Sequence, residues 1–108
     1  MPFAAISIAS IDRTIPRRLM GAGAQPGASR EIHNAGLLLF QGTSAGVVGA
    51  LNQHRFLVEF GTENAAAAVA NWLWSSLHGR ATTLSIGDVD VPIQNGAIKR
   101  ALIAAAQE

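Results

Sequence analysis

Apolar and polar positions divide the chain into short segments of differing period. Phe3 to Ala9 alternates imperfectly and is rich in isoleucine, which predicts a strand. Gly36 to Phe40 is a continuous apolar run opened by a glycine, the pattern of a strand buried on both faces. Arg55 to Phe60 alternates cleanly, with Phe56, Val58 and Phe60 on one face and Arg55, Leu57 and Glu59 on the other. The period then changes. Ala66, Val69, Ala70, Leu73 and Leu77 recur at helical spacing between Thr62, a good N-cap, and Gly79, a good residue for the helix end. Glu63 adds a negative charge where the helix dipole favours one.

Two further alternating runs, Thr82 to Ile86 and Val89 to Ile93, flank Gly87-Asp88 and read as a hairpin with a type II′ turn. Pro92 places the second of these at a sheet edge. Asn95 is then expected to cap a last helix whose buried stripe is Ile98, Ala101, Leu102 and Ala105. Thr43 or Ser44 would cap a short, glycine-weakened helix from Ala45 to Asn52. Ile11 to Asn34 shows no period. Pro16, Gly21, Gly23, Pro26 and Gly27 break it into a long basic loop, with room for one turn around Arg17 to Met20. The expected fold is α+β, a single domain over residues 1–108: a small mixed sheet of four to five strands carrying two to three helices.

Composition sharpens this picture in one respect. The 108 residues are 49% hydrophobic but only 14% charged, against about 25% in an ordinary globular chain. A surface with so few charges is either covered by small neutral residues or partly buried against another chain. The formal net charge is +1, so no overall field draws the protein to nucleic acid. The arginines do cluster, at Arg13, Arg17, Arg18 and Arg30, but no aromatic lies between Asp12 and Arg30 to stack on bases. Nucleic acid is therefore not the expected partner, and a solvated loop, or one docking on an acidic surface, fits better. The absence of cysteine removes disulfide and thiolate chemistry and suits a reducing, cytoplasmic location. The most apolar stretch, Gly36 to Leu51, is too short and too interrupted to span a bilayer, so a soluble protein is expected.

One segment looks like chemistry. Gly42-Thr43-Ser44-Ala45-Gly46 has the G-x-S-x-G form of a nucleophile elbow, with an apolar strand before it and a predicted helix after it. Together with Val47-Val48-Gly49-Ala50-Leu51 it resembles the elbow of patatin-like lipid acyl hydrolases, which implies Ser44 as nucleophile in a dyad with an aspartate. The resemblance covers about a dozen residues. The glycine-rich oxyanion loop of that family has no counterpart directly after Phe3 to Ala9, and the Asp-Gly pair that carries its aspartate does not occur. A serine triad in α/β-hydrolase order would need a histidine after the acid, and the last histidine, His78, precedes Asp88 and Asp90. The glycines around Ser44 are thus expected to make a tight turn, with Ser44 the one candidate catalytic residue. They do not match a phosphate-binding glycine loop either. His33, His54 and His78 lack metal-ligand spacing, and Asp88 and Asp90 read as solvated hairpin charges, so neither a metal nor a cofactor is expected.

The stronger pattern is a surface. On a helical wheel Trp72 and Trp74 flank the buried stripe on opposite sides, and Ile103 lies off the stripe of the last helix. Either the tryptophan rings cover the rim of the protein's own core, or so wide an apolar arc marks a helix buried on more than one side, where tryptophan is enriched in interface cores. The expectation is a non-enzymatic interaction or structural module, self-associating or bound to a protein partner, with Trp72, Trp74, Ile103, Arg17 and Arg18 at the interface. The alternative is a small serine acyl hydrolase using Ser44.

Overall fold

A computed structural model describes residues 3–21, 23–32, 35–44, 52–79 and 83–106. The elements run β1 (Phe3–Ser10), α1 (Ile15–Met20), β2 (Ser29–Ile32), β3 (Gly36–Ser44), β4 (Asn52–Phe60), α2 (Glu63–Leu77), β5 (Thr83–Ile86), β6 (Val89–Val91) and α3 (Asn95–Ala106). The α+β class holds. The sheet, however, has six strands in the order β2-β3-β4-β1-β5-β6, and every neighbouring pair is antiparallel, so it is larger than four to five strands and is not mixed.

The sixth strand comes from the segment expected to be loop. Within residues 11–34 lie both α1 and β2. Pro16 does not break α1, because it sits in the first turn, where a missing N–H costs nothing. Ile15, Leu19 and Met20 then fall on one side and are buried. β2 is a short polar strand at the sheet edge with only Ile32 buried, so it carries little periodic signal.

All three helices lie on one side. The alternation of each strand explains this: Ala4, Ile6 and Ile8 of β1, Leu38 and Phe40 of β3, Phe56, Val58 and Phe60 of β4, and Leu84 and Ile86 of β5 are all buried and form one continuous core. Against them pack Ala66, Val69, Ala70, Leu73 and Leu77 of α2 and Ile98 and Leu102 of α3, all fully buried. Phe40 and Phe56 pack at a tilt of 36° across the β3–β4 pair with centroids 5.1 Å apart. The opposite side of the sheet carries no described element. Gly36 to Phe40 is therefore not buried on both faces: Leu37 is 39% exposed and Leu39 half-buried.

Local details follow their residue chemistry. The Thr62 hydroxyl accepts from the Ala65 N–H at 3.1 Å and caps α2 as expected. In the β5–β6 hairpin both Gly87 (φ 59°) and Asp88 (φ 65°) are left-handed, the signature of a type I′ turn rather than type II′; aspartate tolerates that region. β6 ends just before Pro92 and is an edge strand. Asn95 does not cap α3 but is its first residue; its side-chain amide donates to Asn71 Oδ1 on α2 at 3.2 Å, tying the two helices together. No described helix is long and apolar enough to cross a membrane.

Candidate functional site

Two regions emerge, a cleft on the helix side of the sheet and the open face opposite.

The cleft is built at the ends of β3 and β4. His54 continues the inward alternation of Phe56, Val58 and Phe60, so this imidazole is carried into the core and is only 1% exposed. Both of its nitrogens are occupied. Nε2 lies 3.2 Å from the backbone carbonyl of Asp12, and Nδ1 lies 2.9 Å from the Thr43 hydroxyl. A carbonyl oxygen can only accept, so Nε2 carries the proton, and neutral Nδ1 accepts from Thr43. Burial lowers the His54 pKa below its ordinary value of 6.5, opposed by the hydrogen bond and the charge of Asp12, which keeps this neutral tautomer in place.

Which residue meets His54 is decided by a β-bulge. Phe40 pairs with Phe56 but Gly42 pairs with Arg55, so Gln41 is the extra residue and the face that β3 presents is inverted beyond it. Gly42 has φ 131°, a conformation that glycine supplies readily. Thr43 therefore registers with His54 on the core side, while Ser44 registers with Gln53 and shares the outer side with Arg55. Ser44 Oγ accepts from the Arg55 guanidinium at 2.9 Å, and no histidine or carboxylate is among its described hydrogen-bond partners. Gly42, Thr43 and Ser44 are strand, not a strand-to-helix turn. The helix expected from Ala45 lies outside the described residues apart from Asn52, which opens β4.

Around Thr43 and His54 is a cleft of about 460 Å3 lined by Arg13, Pro16, Arg17, Ala24, Phe40 and Asn52. Its entrance turn is well tied. Ser10 Oγ accepts from the Asp12 N–H, and the Asp12 carboxylate accepts from both the N–H and the hydroxyl of Thr14. Arg18 reaches the same group, with its Nε 3.1 Å from Thr14 Oγ1 and 3.7 Å from Asp12 Oδ2. Asp12 is thus bound along the turn and does not line the cleft.

The open face is read row by row from the strand registers. Leu39, Leu57 and Ala5 lie side by side, and Leu37, Glu59 and Phe3 form the next row. These rows enclose a shallow apolar hollow of about 170 Å3 lined by Phe3, Leu37, Leu39, Leu57 and Glu59. Phe3 is 57% exposed. Farther along β1 the outward residues are the small Ser7 and Ala9, with Arg55 beside Ser7.

The residues singled out from sequence do not gather at one place. Trp72, Trp74 and Ile103 are half-buried and pack against the protein's own core, and Trp74 stacks on His78 with centroids 5.0 Å apart. Arg17 lines the cleft, whereas Arg18 is engaged with Asp12 and Thr14. Asp88 lies in the hairpin turn and Asp90 on β6; among the described residues no three histidine or acidic side chains come together as metal ligands. Sequence reasoning missed His54. The available signal was its spacing, two residues before Phe56 on the same strand face.

Lowered basicity at His54 has a measurable consequence. Its folded pKa lies below the unfolded value, so the unfolded chain takes up protons first as pH falls through about 6.5. Stability is expected to be full above that pH and to decline below it until the folded pKa is passed. Urea midpoints from pH 7.5 to 5 should show the decline, and His54→Leu should flatten it whatever its own baseline stability. Compared with family models, with curated proteins and with solved structures, the chain matches none.

Proposed function

We propose that the protein is a self-associating structural module whose contact surface is the open face of the sheet, with a second copy of the chain as its occupant. The observation that carries this is the apolar group Phe3, Leu37, Leu39 and Leu57, exposed or half-buried on a sheet face that no described element covers. Strands of three to nine residues, at about 3.4 Å rise and about 4.8 Å spacing, give this face a flat footprint of about 600 Å2. With side-chain relief added, that approaches the roughly 800 Å2 per partner of a standard stable interface.

The charges favour a like partner. On β4 the outward residues Arg55, Leu57 and Glu59 alternate along the strand. A two-fold axis through Leu57 sets Arg55 of each copy against Glu59 of the other, the self-complementarity that an isologous contact requires. The small Ala5, Ser7 and Ala9 of β1 let a second sheet approach closely. Sedimentation equilibrium from about 1 to 100 μM tests the reading: a dimer is expected, and a strict monomer throughout that range overturns it.

A second reading keeps acyl transfer but moves it from Ser44 to Thr43, because it is Thr43 whose hydroxyl donates to a neutral, oriented imidazole. In that chemistry Thr43 Oγ bonds to the acyl carbon of an ester while its proton passes to His54 Nδ1. The proton then goes to the departing alkoxide, and water releases the acyl group with His54 as base. Labelling by a fluorophosphonate probe that is lost in Thr43→Ala and kept in Ser44→Ala is the result expected for it. Absence of labelling, or its loss only in Ser44→Ala, removes this reading.

A further inference from the structure

We infer that the cleft between α1 and the ends of β3 and β4 is a binding site for a small ligand that carries an oxyanion group, a phosphate or a carboxylate, on an apolar body. The argument begins with charge. The described lining includes two guanidinium groups, Arg13 and Arg17, and no carboxylate among the described residues. Neither arginine makes an ion pair within 4.0 Å among the described residues, whereas Arg18, Arg30 and Arg55 are engaged by Asp12 and Thr14, by the Leu19 carbonyl and by Ser44. Arg13 and Arg17 lie four positions apart, around the start of α1.

The nearest described carboxylate, that of Asp12, is not part of the lining, although its charge reaches His54. Asp12 directly precedes Arg13, yet its carboxylate is held by Thr14 and approached by Arg18, and only its backbone carbonyl turns to His54. Arg13 and Arg17 thus line the cleft without a salt bridge among the described residues. His54, kept neutral on the cleft floor, adds no charge of its own, so the attraction rests on Arg13 and Arg17. Guanidinium groups bind phosphate and carboxylate through paired N–H donors, and Asn52 adds an amide that can donate to the same group.

The remaining wall fits the body of such a ligand. Phe40, Pro16 and Ala24 add apolar lining beside the polar groups, and about 460 Å3 falls within the range of small-molecule sites. The cleft stands on the core side of β3 and β4, where Phe40 and His54 point, so it is separate from the open face and does not depend on self-association.

The test is a titration of the isotope-labelled full chain, followed by amide NMR at low ionic strength, where ion pairing is least screened. Phenyl phosphate, benzoate and neutral benzyl alcohol are the probes. Saturable shifts at residues 13–15, 17, 43 and 52–54 are expected with phenyl phosphate, benzoate or both, and none with benzyl alcohol. The stronger of the two anions identifies the oxyanion. Arg13→Gln/Arg17→Gln should weaken binding at least tenfold, and Arg100→Gln, on α3, should leave it unchanged. Both arginines are exposed, so the double variant is expected to keep its fold, which its own spectrum checks. The inference is overturned if neither anion gives a saturable shift, if benzyl alcohol binds equally, or if the folded double variant binds as tightly as the parent.

Discussion

Gly36→Ala is expected to lower the thermal midpoint by about 10 °C or more, the largest stability effect of any single methyl addition among the described glycines. Gly36 opens β3 and pairs with Phe60 on β4, on the side where α2 packs. A Cβ there would fall far inside contact distance of the Glu59 carbonyl oxygen, which is backbone and cannot swing away, and within 3.3 Å of Val69 Cγ2 on α2. Relief requires the β3–β4 ladder to open or α2 to lift from the sheet. Overpacking of this kind costs about 3 kcal/mol at the upper end of its usual range. In a domain of this size each kcal/mol moves the midpoint by roughly 4 °C. Gly96→Ala is the matched control. It sits in the first turn of α3 with nothing within 4 Å of the added methyl, and alanine there should be neutral or stabilising by up to about 1 kcal/mol. Equal midpoints for the two variants would show that the β3 start is not packed as described.

On the proposed two-fold contact through the open face, Leu57→Lys is expected to abolish self-association while leaving the monomer folded. Leu57 is half-buried and points outward between Leu39 and Ala5, so its loss opens no cavity in the core. At a two-fold axis every substitution acts twice. Two leucines leave a shared apolar contact worth about 1.5–3 kcal/mol each, and two lysine charges meet in their place. The dissociation constant should rise at least about 100-fold, since each 1.4 kcal/mol is a factor of ten. Charge exchange gives a test that folding cannot imitate. Arg55→Glu alone sets like charges against Glu59 of the other copy and should weaken association, and Arg55→Glu with Glu59→Arg should recover it. If the exchange fails to recover what the single change loses, the two-fold arrangement through Leu57 is wrong, even where a dimer exists.

These two effects lie at opposite ends of what could be read from sequence. The α2 stripe, its Thr62 cap and the β4 alternation were legible because each is a local rule acting on nearest neighbours. So was the hairpin, although not its turn type, which depends on Asp88 taking a positive φ. The segment 11–34 was misread because its proline looked like a breaker. Pro16 breaks a helix only from the interior, and here it stands in the first turn with Ile15, Leu19 and Met20 buried beneath it. The edge strand β2 has no apolar period because only one of its residues reaches the core.

By itself the sequence determined the α+β class, the main helix and the inward face of β4, because hydrophobic period and end-capping act within a few residues. Tertiary structure alone decided which side chain meets His54 and which apolar residues stay uncovered. The extra residue Gln41 inverts the face of β3 through its pairing with β4, so Thr43 and not Ser44 meets His54. That outcome depends on strand register, a relation between segments about ten residues apart. The side on which the helices settle is likewise a property of the whole sheet: alternation makes the two faces unlike, and only their packing together leaves Phe3, Leu37 and Leu57 on the uncovered one.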